Sequence, residues 1–477
     1  MTFPSDFVWG AATSAYQIEG ATEAHGRGPS VWDAFCREPG KVRNGDTGDV
    51  ATDHVNRFRE DVAIMKQIGL GAYRFSISWP RVMPEGVGAI SETGLAFYDR
   101  LVDELLSAGV TPWVTLFHWD LPLALQHRGG WLNSAMPDWF EEFTRAVVDR
   151  LSDRVSHWFT LNEPQVFIGL GHGNGTHAPG LSLPLVDKLR IGHHALLAHG
   201  RAARTIRERA RTAPRVGWAP VGSVAIPADP ERDQKAAREH TFAIGPDDDP
   251  IWSNTWWSDP AFLGSYPEDG LRSFGHLLPA AWERGMELVR QPLDFYGFNI
   301  YRGYFVRAGE TGEIERPKLP IATPRTHFRW EITPAVMRWA PEFFFERYNK
   351  PIVVAENGMS NADWVGLDGS VNDPQRIDYL ARHLLALQAA IDAGVPVTGY
   401  FHWSLLDNFE WAEGYDQRFG LVHVDFATQT RTPKRSAEFY ASVIRTQGDI
   451  LNDMSADADA QRAFAIANAD SEGTSIR

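Results

Sequence analysis

The chain has 477 residues, 43% of them hydrophobic and 22% charged, with a formal net charge of −15. This composition supports a large core and excludes a disordered or fibrous chain, while so acidic a balance disfavours nucleic acid and anionic lipid as partners. A single cysteine, Cys36, excludes an intrachain disulfide and fits a reducing compartment or simple disuse of cysteine.

The opening MTFPSDFVWG carries no basic flank, long apolar run or small-residue cleavage site. Neither a signal peptide nor a membrane span is expected, and a cytoplasmic location is. Short apolar runs then recur along the chain: DFVWGA (6–11), AYRFSIS (72–78), VTPWVTLFH (110–118), HWFTLNE (157–163), VGWAPVG (216–222), LDFYGFNI (293–300), PIVVAE (351–356) and VPVTGYFHW (395–403). Each has strand length and is rich in β-branched or aromatic residues, and most lack polar alternation, as strands buried on both faces do.

Helical periodicity fills many of the gaps. Phe58, Val62 and Met65 share one face before Gly69; Tyr98, Leu101, Val102 and Leu105 share another before Gly109; Trp139, Phe143, Val147 and Leu151 stripe a third. Helix, glycine, buried strand is the rhythm of βα units, and eight such strands suggest a closed (β/α)8 barrel. A doubly wound open sheet is the alternative, weakened because no G-x-G-x-x-G follows the first strand. Uneven strand spacing implies inserted loops on one face. The last thirty residues are Ala- and Asp-rich, and a mobile tail over 448–477 is expected.

Two apolar runs close on carboxylates: TLNEP places Glu163 at one strand end, and VAENG places Glu356 at another. Strand C-terminal ends face the mouth of a barrel, where active sites form. A pair of carboxyls there can cleave a glycosidic bond, one as proton donor and the other as nucleophile or base. A gap of about 5–5.5 Å implies retention and a wider one inversion. The histidines of GHHALLAHG (His193, His194, His199) read as packing or surface groups on a helix, and the DDD run at 247–249 as a solvated loop. No H-E-x-x-H or Cys/His spacing points to zinc, so neither metal nor cofactor is expected.

FPSDFVWGAATSAYQIEGA, GDVATDHVNRFREDVAIMKQIGLGAYRFSISWPRVMPEG, TLFHWDLP, TLNEP, GFNIY, VAENG and GYFHWSLLDNFEWAEGYDQRFGL stand in that order. Together they make the chain resemble glycoside hydrolase family 1, the β-glucosidase family, to about residue 446. The resemblance implies a TIM barrel of one domain, residues 1–447, with inserted loops at its C-terminal face. It implies a retaining β-glycosidase acting on terminal β-D-glucosyl residues, with Glu163 as general acid/base and Glu356 as nucleophile.

The same resemblance implies the supporting set. Arg74 and Tyr301 would sit beside Glu356, and Asn162 would reach the sugar 2-hydroxyl with Asn299 nearby. Gln17, His118, Trp119 and Glu410 would bind other hydroxyls; Trp403 would form the platform under the ring and Trp411 would donate its indole N–H. Trp330 would lie on the leaving-group side and Phe419 would line the wall. Ala355 and Leu161 depart from residues common in the family beside the two glutamates. Rival readings are a 6-phospho-β-glycosidase, disfavoured by Glu410, a galactosidase or fucosidase of the same kind, and a sugar-binding protein without catalysis. Expected partners are small β-glycosides and short oligosaccharides; the sequence is compatible with a homo-oligomer.

Overall fold

In the computed structural model, which describes residues 2–310 and 313–454, all eight apolar runs are parallel strands of one sheet. They are β1 (Val8–Ala12), β2 (Ala72–Ser76), β3 (Thr111–Phe117), β4 (His157–Asn162), β5 (Arg215–Ala219), β6 (Tyr296–Asn299), β7 (Ile352–Asn357) and β8 (Val397–Trp403). Neighbouring strands in sequence are neighbours in space, and β8 returns to pair with β1, Val8 opposite Gly399 and Ala12 opposite Trp403. Between β5 and β6 the ring closes through single hydrogen bonds: Asp294 N–H to the Val216 carbonyl, Asn299 N–H to that of Pro220 and Gly222 N–H to that of Asn299, at 2.8, 2.9 and 2.8 Å. Closure removes the open edges a free sheet would present.

The barrel interior alternates small and large side chains. Ala12, Ala72, Ala219 and Ala355 leave room for Trp113, Phe159, Phe295 and Phe401 in one buried cluster, the packed filling expected of an eight-stranded barrel. Outside, helices cover each strand. Among them α1 (His54–Ile68) ends at Gly69, whose φ of 85° reverses the chain, and α2 (Glu92–Ser107) is capped by the Ser91 hydroxyl accepting from Gly94 N–H. α3 (Met136–Leu151) buries Trp139, Phe143, Val147 and Leu151 as its stripe predicts.

The three histidines lie on α4 (Leu185–Arg209) and are buried. His194 meets the Trp131 carbonyl, His199 the Thr160 hydroxyl and His193 that of Tyr266. In the DDD run, Asp249 is more than solvated loop: it caps a short helical turn through Ile251 N–H and pairs with Lys188 at 2.5 Å. Packing continues past residue 447, since Leu451 is fully buried. The expectation of a mobile tail, so far as it concerns residues 455–477, lies outside the described residues. No helix among the described residues is long and apolar enough to cross a membrane.

Candidate active site

Local backbone chemistry explains why each glutamate enters the barrel mouth. The pairing of β4 with β5 slips between Phe159 and Asn162, and that of β7 with β6 slips between Val354 and Glu356. Such a slip re-aims side chains that strict alternation would send elsewhere. Glu163 follows β4 in the left-handed region, with φ of 42°, its N–H tied to the Ala219 carbonyl at 2.7 Å. Pro164 bars Glu163 from ordinary helical geometry and starts the next helix at its first position. Trp119 and Trp411, with φ of 80° and 52°, share this sparsely populated conformation, which clusters at functional sites. After β7, Gly358 is required sterically, because a Cβ there would come 1.8 Å from the Trp403 carbonyl oxygen.

The two carboxyls are buried and line one cavity of about 900 Å³. β4 and β7 are three strand steps apart in a ring of eight. From these positions both carboxyls reach the same cavity, and they are near enough for the charge of Glu356 to act on Glu163. Glu356 is gripped on both oxygens. Arg74 Nη1 donates to Oε1 at 2.5 Å and the Tyr301 hydroxyl donates to Oε2 at 2.7 Å. Arg74 is itself fixed: its Nη2 donates to Asn162 Oδ1 at 2.5 Å, its Nε to Thr115 Oγ1 at 3.1 Å, and its guanidinium lies over the Phe159 ring. Asn299 Nδ2 donates to Glu163 Oε1 at 2.8 Å and to Asn162 Oδ1 at 3.1 Å.

The electrostatics differ between the two groups. Burial raises the Glu163 carboxyl, the charge of Glu356 raises it further, and it reaches about 8. Glu356 is raised as well, by burial, with Arg74 and Tyr301 working against that rise in favour of its anion. Glu410 is likewise lifted to about 8, by burial and then by the Glu356 charge. Burial, helped by Arg74, keeps His118 neutral; its Nε2 accepts from Asn162 Nδ2 at 3.0 Å, which leaves the proton on Nδ1.

Of the expected binding residues, His118, Trp119, Trp330, Trp403, Glu410, Trp411 and Phe419 line the cavity together with Glu163, Tyr301 and Glu356. Trp403 faces the His118 ring nearly parallel at 5.8 Å, and Trp330 stacks on Phe328 at 4.7 Å. Arg74, Asn162 and Asn299 stand behind the glutamates. Gln17 is fully buried behind Glu410, donating to Glu410 Oε2 at 3.2 Å and to the Phe409 carbonyl at 2.9 Å, and its Oε1 accepts from Ser14 at 2.6 Å. Sequence reasoning passed over Thr115, which orients Arg74, and Ser14 and Asn408, which with Glu410 fix the Gln17 amide. All three lie inside family-like blocks, but nothing local marks a hydroxyl or amide as a partner of one distant side chain. Among the described residues no cluster of three or more His, Cys, Asp or Glu is arranged to hold a metal ion.

The family model described as "Glycosyl hydrolase family 1" matches residues 1–449. "Beta-glucosidase A" of Thermotoga maritima is 43% identical over 449 residues, 94% of this chain and 98% of the relative. "Beta-glucosidase" of Agrobacterium sp. is 42% identical over 452 residues, 92% and 95% of the two chains. The solved structure "Family 1 b-glucosidase from Thermotoga maritima" superposes with a TM-score of 0.85 at 42% identity, covering 94% of this chain and 99% of that one. The chain belongs to glycosyl hydrolase family 1.

Proposed function

We propose, from that membership, that Glu356 is the nucleophile and Glu163 the acid/base of a retaining β-glucosidase. The observation that carries the assignment is the asymmetry of the two carboxyls. Glu356 is held as an anion by Arg74 and Tyr301, whereas Glu163, across the same cavity, is raised to about 8 and keeps its proton near neutral pH. In the first step a Glu356 oxygen forms a bond to the anomeric carbon as the glycosidic C–O bond breaks, and the departing oxygen takes the Glu163 proton. Esterification removes the Glu356 charge, so Glu163 holds a proton less tightly and accepts one from the water that attacks in the second step.

Arg74 and Tyr301 hold Glu356 in line for attack and stabilise its charge when it leaves the sugar. Asn162, held by Arg74, Asn299 and His118, would serve the hydroxyl beside the reacting carbon. His118, Glu410 and Trp411, with Gln17 bracing Glu410, serve the remaining hydroxyls; the indole N–H of Trp119 is already given to the Asn162 carbonyl at 3.0 Å, so Trp119 contributes its ring to the wall, and Trp403 serves the face of the sugar. A glucoside is the favoured substrate over its 6-phosphate, because the carboxyl of Glu410 that lines the pocket can donate to or accept from a neutral hydroxyl but offers a phosphate dianion no counter-charge.

Azide separates the two roles. Turnover by Glu356→Ala should fall by at least about 10³-fold and be partly restored by azide with an α-glycosyl azide as product. Glu163→Ala should give the β-azide and suffer most with poor leaving groups. A β-azide from Glu356→Ala would reverse the assignment.

A further inference from the structure

We infer that the outer part of the cavity takes a flat, apolar leaving group carrying a carboxylate, with Arg316 as its counter-ion; this rests on the glycosidase reading above. Beyond the two glutamates the cavity walls include Val166, Leu170, Val224, Trp252, Phe305 and Leu319. Although Thr176, Ser223, Arg302 and Glu331 also line the cavity, this apolar stretch offers no partner to the hydroxyls of a second sugar, and burying those hydroxyls unpaired is unfavourable. They suit an aromatic ring, which needs contact on its faces and no hydrogen bonds around its edge.

Arg316 stands among them, with no charged partner among the described residues. The strand Tyr304–Ala308 pairs antiparallel with Ile314–Glu315, and this reversal brings Arg316 back over the Tyr304 ring, its guanidinium 4.2 Å from the centroid. Both side chains line the cavity. Arg316 donates to His240 Nε2 at 3.3 Å, and among the described residues no carboxylate lies within ion-pair distance of it. Asp248, whose carboxylate accepts from Gly245 N–H, acts on the His240 and Tyr304 beside it. Other charges at the rim are satisfied: Arg302 pairs with Glu331 at 2.6 Å and Glu413 with Arg43 at 2.6 Å. On a chain whose formal charge is −15, an exposed guanidinium with no carboxylate partner among the described residues, lying over the Tyr304 ring beside an apolar slot, matches a planar anion. In the reaction the aryl oxygen would leave with the Glu163 proton, and the released product would be a hydroxylated aromatic acid.

The test compares 4-carboxyphenyl β-D-glucoside with its methyl ester, which has the same shape and no charge, for wild type, Arg316→Gln and Arg316→Lys. Arg316→Gln should lower kcat/KM for the acid about five-fold and leave the ester unchanged, and Arg316→Lys should retain most of the activity on the acid. Raising salt from about 50 to 500 mM should erode the acid-to-ester ratio in wild type and not in Arg316→Gln. An acid-to-ester ratio that is the same in wild type and Arg316→Gln, including equal losses on both substrates, would overturn the inference while the ester's turnover leaves the glycosidase reading standing. Failure of wild type to hydrolyse either substrate, or any other aryl glucoside, would remove both.

Discussion

Replacing Glu356 with Gln keeps the shape of the nucleophile and deletes its charge, and the effect should be read at Glu163. The Glu163 carboxyl is raised to about 8, first by burial and then by Glu356. At the separation of about 5 Å that a retaining carboxyl pair adopts, unit charges interact by about 3 kcal/mol at an effective dielectric of about 20, which corresponds to about 2 in pKa. Glu356→Gln should therefore bring Glu163 down to about 6, still above an ordinary glutamate because burial and its low dielectric remain. Titration of the variant by NMR with ¹³C-labelled glutamate carboxyls reports this directly. The sign is fixed by chemistry: losing a neighbouring anion makes the charged form of Glu163 easier to reach. Formation of the glycosyl ester at Glu356 deletes the same charge, so the measured fall is also the size of the switch from acid to base. In wild type the raised value holds the proton through neutrality, and kcat/KM for glucosides with poor leaving groups should decline above about pH 8 as it is lost. If Glu163 titrates at the same pH in wild type and Glu356→Gln, burial alone sets its proton affinity and the proposed coupling is wrong.

Two further outcomes are expected. Tyr301→Phe removes the 2.7 Å hydrogen bond to Glu356 Oε2; a bond to a charged group of this kind is worth about 1.5–3 kcal/mol, so kcat/KM should fall about 10- to 150-fold, and a loss under two-fold would show that Arg74 alone suffices. Away from the site, burial works to raise the Asp363 carboxyl, but Lys434 and Arg376, each 2.6 Å away, outweigh it and bring it down to about 2. A depressed carboxylate stabilises the fold above its unfolded value and loses that contribution as pH falls through the folded one, here from about 4 to about 2, for about 2.5 kcal/mol in all. Asp363→Asn should lose about that much at pH 7 and flatten the acid limb of a denaturation series; identical slopes for the two proteins between pH 2 and 4 would refute the account.

The eight strands, the helical stripes on α1 to α3 and the two glutamates were legible in the sequence because each depends on neighbours close in the chain. Apolar runs, glycine stops and the proline after Glu163 act within a few residues, and motif order carried the family resemblance. What the sequence left open was direction and partnership. Strict alternation along β4 and β7 does not say that both pairings slip near their ends, nor that Glu163 and Glu356 share one cavity. Nothing near Asn299 or Thr115 announces that one would hold a carboxyl 136 residues away and the other would steady Arg74. The length of the DDD-containing insert was visible, but not that Asp249 would cap a turn, nor that the chain after β6 would fold Arg316 back over Tyr304. Local propensities are short-ranged, whereas closing a barrel brings together ends that were distant in the chain. Only that closure fixes which buried groups meet, and so which carboxyl keeps its proton.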